Sequence, residues 1–187
     1  MIQQVITRRA PILAAIAMLP VLLPASTVSQ RQLEVQKEGI RLVTQVEESA
    51  REIRYHADHL DALANSMQAS RHIHKSHLTQ IRESVNERLR PAMQRLVEIQ
   101  GELPEWKQQS IQDMHADAAA LAAHVNGAIV QANDGTLLQP AMNAEYKKLV
   151  SGVHEQAGSL VKRSDAVGTY SSALLKAQGA GVEVPQS

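Results

Sequence analysis

Eight histidines are the residues of this 187-residue chain best suited to chemistry: His56, His59, His72, His74, His77, His115, His124 and His154. Neutral imidazole ligates zinc, copper and nickel, and helical bundles often hold metal or haem between their rods. His72-x-His74-x-x-His77 is the tightest local group. His74 and His77 are three apart and can share a helix face, with His59 facing them across a turn. These three, His59, His74 and His77, are the candidate ligands of an adventitious divalent ion, with weak or no specific binding expected. A second set, His56, His115 and His154, would need three helices to converge. His115 lies about four residues deeper than its partners, an offset near 6 Å by helical rise. Helical spacing puts His56, His115, His124 and His154 at boundary positions, where a ring rests on the core and keeps a nitrogen wet.

Other chemistry finds less support. Di-iron bundles use Glu-x-x-His on two helices, and no histidine here has Glu three residues before it. Met67, Met93 and Met114 are candidate axial partners for a haem, yet methionine in a packed seam is ordinary gap-filling. No cofactor is therefore expected. There is no Gly-x-Ser-x-Gly elbow and no Gly-rich loop leading into a helix with Lys. The carboxylates Glu47, Glu48, Glu52, Asp58 and Asp61 read as helix surface. The sequence does not predict an enzyme.

Composition narrows the field further. Cysteine is absent, which excludes disulfides and thiolate sites. With no Phe, one Trp and three Tyr, aromatic-lined pockets and base-stacking platforms are poorly supplied. Nineteen basic residues balance nineteen acidic ones, so no electrostatic footprint for nucleic acid or anionic membrane exists.

The first thirty residues differ from the rest. Arg8 and Arg9 precede an apolar run from Ile12 to Leu23, and the small residues Ala25, Ser26, Thr27 and Ser29 follow. This pattern predicts a secretory signal peptide over residues 1–29, cleaved between about 25 and 29. The apolar run is short for a membrane span; an uncleaved anchor is the alternative reading. The mature chain is then expected in the periplasm or medium, free of the membrane.

The elements that must position the histidines are long helices. Val43, Val46, Ala50, Ile53, Ala57, Leu60, Ala64 and Met67 recur every three and four residues, a heptad stripe that buries one narrow seam against other helices. Three alanines in that seam favour close approach of a partner helix. The first helix is predicted over about Arg31 to Gln68, with Ser70 as N-cap of the next. A second helix reaches Gln100 with His74, Leu78, Ile81, Val85, Leu89, Ala92, Leu96 and Ile99 inward. Pro91 should kink it, and Gly101 should end it. A third helix opens at Leu103-Pro104 and carries Ile111, Met114, Ala118, Leu121, Val125, Ala128 and Ala132 inward. After a loop marked by Asn133-Asp134-Gly135 and Pro140, the fourth helix spans about Ala141 to Ala177. Its stripe is Tyr146, Val150, Val153, Ala157, Leu160, Ser164, Val167, Ser171 and Leu174. Residues 178–187 are predicted to be a disordered tail. The expected fold is all-α: an antiparallel up-down-up-down four-helix bundle over residues 31–177 with heptad, coiled-coil-like seams.

His74-x-x-x-Leu78-x-x-Ile81-x-x-x-Val85-Asn86 and Glu145-Tyr146-Lys147-Lys148 resemble a family of exported helical proteins from soil bacteria, over about Tyr55 to Ser172. The resemblance implies the fold and export and brings no activity with it. The Leu-Thr-x-x-Gln motif of small periplasmic chaperones fails here, because Leu78-Thr79 is followed by Arg at position 82. The expected function is a non-enzymatic binding or scaffold component of the periplasm or envelope. Its protein partner is unspecified and homo-oligomerisation stays open. A metal- or haem-binding bundle and a periplasmic holdase are the alternatives.

Overall fold

The computed structural model describes residues 25–64, 70–133 and 143–179. Its elements are α1 (Ala25–Ala64), α2 (Arg71–Ser84), a π turn (Val85–Leu89), α3 (Arg90–Ile99), a 3-10 turn (Gln100–Glu102), α4 (Glu105–Asn133) and α5 (Ala144–Gly179). No strand occurs among the described residues. Because α2, the π turn and α3 follow without interruption, the described residues form four helical rods. Residues 1–24 of the predicted signal peptide, Met67, the predicted loop after Asn133 and the predicted tail beyond Gly179 lie outside the described residues. No helix among the described residues is long and apolar enough to cross a membrane.

The inward stripes decide the packing. Val43, Val46, Ala50, Ile53, Ala57, Leu60 and Ala64 of α1 are all buried, and so are Leu78, Ile81, Val85, Leu89, Ala92, Leu96 and Ile99 of the second rod. In α4 and α5 the expected stripes are buried except Ala118 and Leu174, which are half-covered. α1 packs most extensively on α5, and α5 in turn on α4. Small residues make that proximity feasible: Ala50, Ala57 and Ala64 on α1 and Ala157 on α5 have no exposed surface. Between α4 and α5 the fit is reciprocal. Leu149 fills the space beside Gly127, and His124 fills the space beside Gly152.

Helix ends follow local chemistry. Ser70 occupies the N-cap position of α2 with extended backbone, but its side chain makes no capping bond. The Pro104 carbonyl accepts from Lys107 and Gln108 at the start of α4. Asn143 Oδ1 accepts from the backbone N–H groups of Glu145 and Tyr146 at 2.9 and 3.1 Å, a side-chain cap for α5. Pro91 lacks a donor, and its ring crowds the carbonyl four residues back. The chain answers with a π turn rather than a simple kink: Arg90 N–H reaches the Val85 carbonyl.

Polar ties between rods run along the outside. Arg95 bonds Glu38 at 2.8 Å, Arg88 bonds Glu52 at 2.5 Å, and Arg31 bonds Glu102 at 3.1 Å. Arg163 of α5 spans Asp113 and Asp117 of α4, both at 2.9 Å, and Ser159 donates to Asp117 at 2.7 Å. Exposed pairs of this kind add little stability and chiefly favour one register over its neighbours.

Candidate functional site

Histidines gather where α1 and α2 meet. His56 and His59 are three apart on α1 and therefore share a face; His77 of α2 packs against both. The Nδ1 atoms of His56 and His77 are 3.2 Å apart. His59 stacks on His77, with ring centroids 5.5 Å apart and planes 21° from parallel. Tyr55 stands edge-on to His56 and His59, at 5.2 and 4.5 Å between centroids, and is itself 60% exposed.

His74 takes no part in this group. It lies on the inward stripe with Leu78 and Ile81, so the helix carries it into the core. There its Nδ1 is 2.9 Å from the Tyr146 hydroxyl of α5, while its Nε2 is buried without a partner. Of the predicted ligand set, His59 and His77 come together and His74 is turned away. His56 stands in the place assigned to His74. His56, His115 and His154 do not converge either. His154 pairs with Asp58 at 2.6 Å, and His115 lines a shallow groove beside Arg90 and Met93. His72 is exposed, and His124 is wedged against Gly152.

Burial sets the electrostatics. Desolvation holds His56, His74 and His77 below the usual imidazole pKa. Neighbouring imidazoles add to that effect for all three, and Glu52 opposes it at His56. Desolvation likewise raises the Tyr146 phenol. At neutral pH His56, His74 and His77 are uncharged.

The His56–His77 contact has the geometry of a hydrogen bond. Their centroids are 5.4 Å apart, a span almost filled by the 3.2 Å nitrogen contact and the two ring radii, so the nitrogens point at each other. Metal ligands would instead aim both lone pairs at a third point about 2.0–2.1 Å from each nitrogen. Among the described residues, no group of three or more His, Asp or Glu side chains is placed to hold a metal ion. Tyr55, His56 and Tyr146 were missing from the predicted site, since contacts between helices depend on an axial register that no single helix encodes.

Comparison of the chain with protein-family models, curated proteins and solved structures found no match.

Proposed function

We propose that the protein is an exported, non-enzymatic helical bundle that works through its surface in the periplasm or envelope, as the resemblance to exported helical proteins of soil bacteria implies. The antiparallel up-down-up-down arrangement belongs to this reading. Its support is the order of the ties: Glu38, Glu52 and His56 of α1 meet Arg95, Arg88 and His77, and Asp113 and Asp117 of α4 meet Arg163 and Ser159. Numbers rise on one rod as they fall on the next. The heptad seams are supported by the buried three-and-four spacing of α1.

One observation carries the choice of surface. Tyr55, among only four aromatic residues of the chain, is spread over the α1–α2 imidazoles instead of being spent on the core. Ile73, 42% exposed, lies one helical turn before His77. An exposed tyrosine resting on other rings, with an exposed aliphatic side chain on the adjoining helix, has the composition of a binding hot spot. A photo-crosslinking residue at position 55, in cells, should give one discrete adduct in the envelope fraction that His59→Ala weakens. The same probe at Val130, on α4 and 66% exposed, should give none. Identical adducts from both positions would overturn the assignment.

A second reading, the metal-binding bundle raised by the sequence, has the facing nitrogens of His56 and His77 against it, because they leave no shared point for an ion. A zinc titration separates the two.

A further inference from the structure

The His56–His77 bond joins α1 to α2 through two nitrogens of the same kind, so one must carry a proton and the other must not. Neutral rings meet that condition, and so does a pair sharing one added proton. Two imidazolium rings do not: two N–H groups then point at each other with like charge at 3.2 Å. His59 stacks on His77 at the same spot, with ring centroids 5.5 Å apart. Beneath them His74 is fully buried, and its Nε2 has no acceptor within reach. Protonation puts a charge in the core and, from either tautomer, leaves an Nε2–H with no acceptor.

The surroundings supply little compensation. Glu52 is the carboxylate of α1 that faces His56, and Arg88 and Ser84 already hold it. Asp58 is held by His154 from α5. α5 also brings the Tyr146 hydroxyl to His74, while Asp61 of α1 and Lys147 of α5 each have a partner of their own. α4 meets the Lys75, Leu78 and Thr79 side of α2 through Ile129, Ala132 and Asn133, none of them titratable.

The opposite end is tied differently. Arg95 holds Glu38 and Glu98, Arg31 holds Glu102, and Trp106 packs edge-on to Tyr170 at 4.7 Å. None of these contacts depends on imidazole, and the hydrogen bond from Arg95 keeps the Glu38 carboxyl below its usual range. Mild acid that charges histidine therefore leaves this end intact.

We propose that the imidazole end of α1 and α2 is an acid-released clasp, which opens in mild acid while the Arg95–Glu38 end stays closed. The sign follows from linkage. Burial lowers the pKa of His56, His74 and His77 in the closed state, and opening returns them to about 6.5. The open state then binds more protons, so closure is fully stable above about pH 6.5 and weakens as pH falls toward the closed-state values.

Hydrogen exchange of the whole chain at about pH 7.5 and about pH 5.5, corrected for intrinsic rates, tests this. Residues 53–64 and 71–81 should lose at least tenfold in protection in acid, and residues 35–46 and 89–99 should change less than threefold. The double variant His56→Asn, His77→Asn should show a smaller acid loss at the first pair of segments. His72→Asn and His115→Asn, both at exposed positions, should respond as wild type. Should the double variant be loose at every pH, imidazole NMR titration of the wild type decides. The His56 and His77 resonances should titrate below about 6.5, in step with the loss of protection. Equal loss at both ends, no acid loss, or titration at or above that value would overturn the proposal.

Discussion

The ring of His124 occupies the space that a side chain at Gly152 would need. An added Cβ there would run into Nδ1, Cε1 and Cγ of the imidazole. Glycine at 152 is thus a packing requirement of the α4–α5 contact, whereas nothing approaches the same position at Gly158. Gly152→Ala should cost about 1–3 kcal/mol by overpacking. Gly158→Ala should instead stabilise by about 0.5–1 kcal/mol, through reduced freedom of the unfolded chain. Paired denaturant melts check both, and equal effects would show that His124 has room to move.

The seam of α1 offers a second test. Ile53 and Ala57 have no exposed surface. Ile53→Asp should cost several kcal/mol, because a carboxylate is buried without a partner. Ala57→Leu should cost about 1–3 kcal/mol, since neighbouring rods leave no room for three more carbons. Circular dichroism melts report both, and an Ala57→Leu protein more stable than wild type would mean that the rods are not closely apposed there.

Much of this was legible in advance, for a definite reason. Burial of Val46, Ile53 and Leu60 follows from spacing along one helix, which a sequence states outright. The inward turn of His74 was legible too, since it falls in line with Leu78, Ile81 and Val85. Reading it also as a ligand beside His77 asked one side chain to face two ways. The His56–His77 pair was not legible, because it depends on how far α2 slides along α1. The π turn was hidden for another reason: Pro91 shows that a bond is lost but not how the carbonyls upstream rearrange.

Arginine–carboxylate chemistry gives the third expectation. The bond from Arg95, opposed in part by desolvation, holds Glu38 below its usual pKa near 4.5. Its contribution is present above that value and is lost as pH falls through the lowered one. Arg95→Ala should therefore flatten the stability profile below about pH 4.5 and leave the limb between about pH 5 and pH 7 unchanged. Thermal melts across that range would reveal a change in the wrong limb.

Zinc supplies the fourth. The nitrogens of His56 and His77 point at each other, so a metal must first break their bond. Near-stoichiometric Zn(II) should raise the melting temperature little, because tight binding to the native state alone must appear as stabilisation. A sub-micromolar dissociation constant by calorimetry, lost in His77→Ala, would promote the metal-binding reading.

The extensive packing of α1 on α5 joins the first described rod to the last. A chain emerging from the ribosome cannot bury the alanine seam of α1 until α5 has also been made. Until then Ile53, Leu60 and their neighbours lack their principal cover, and the nascent protein stays a ligand for factors that hold unfolded chains. Loss of α5 by early termination would therefore leave an adhesive remnant rather than a smaller domain. Completion of this fold is a late, all-at-once event, because the two rods that cover each other most lie at opposite ends of the described chain.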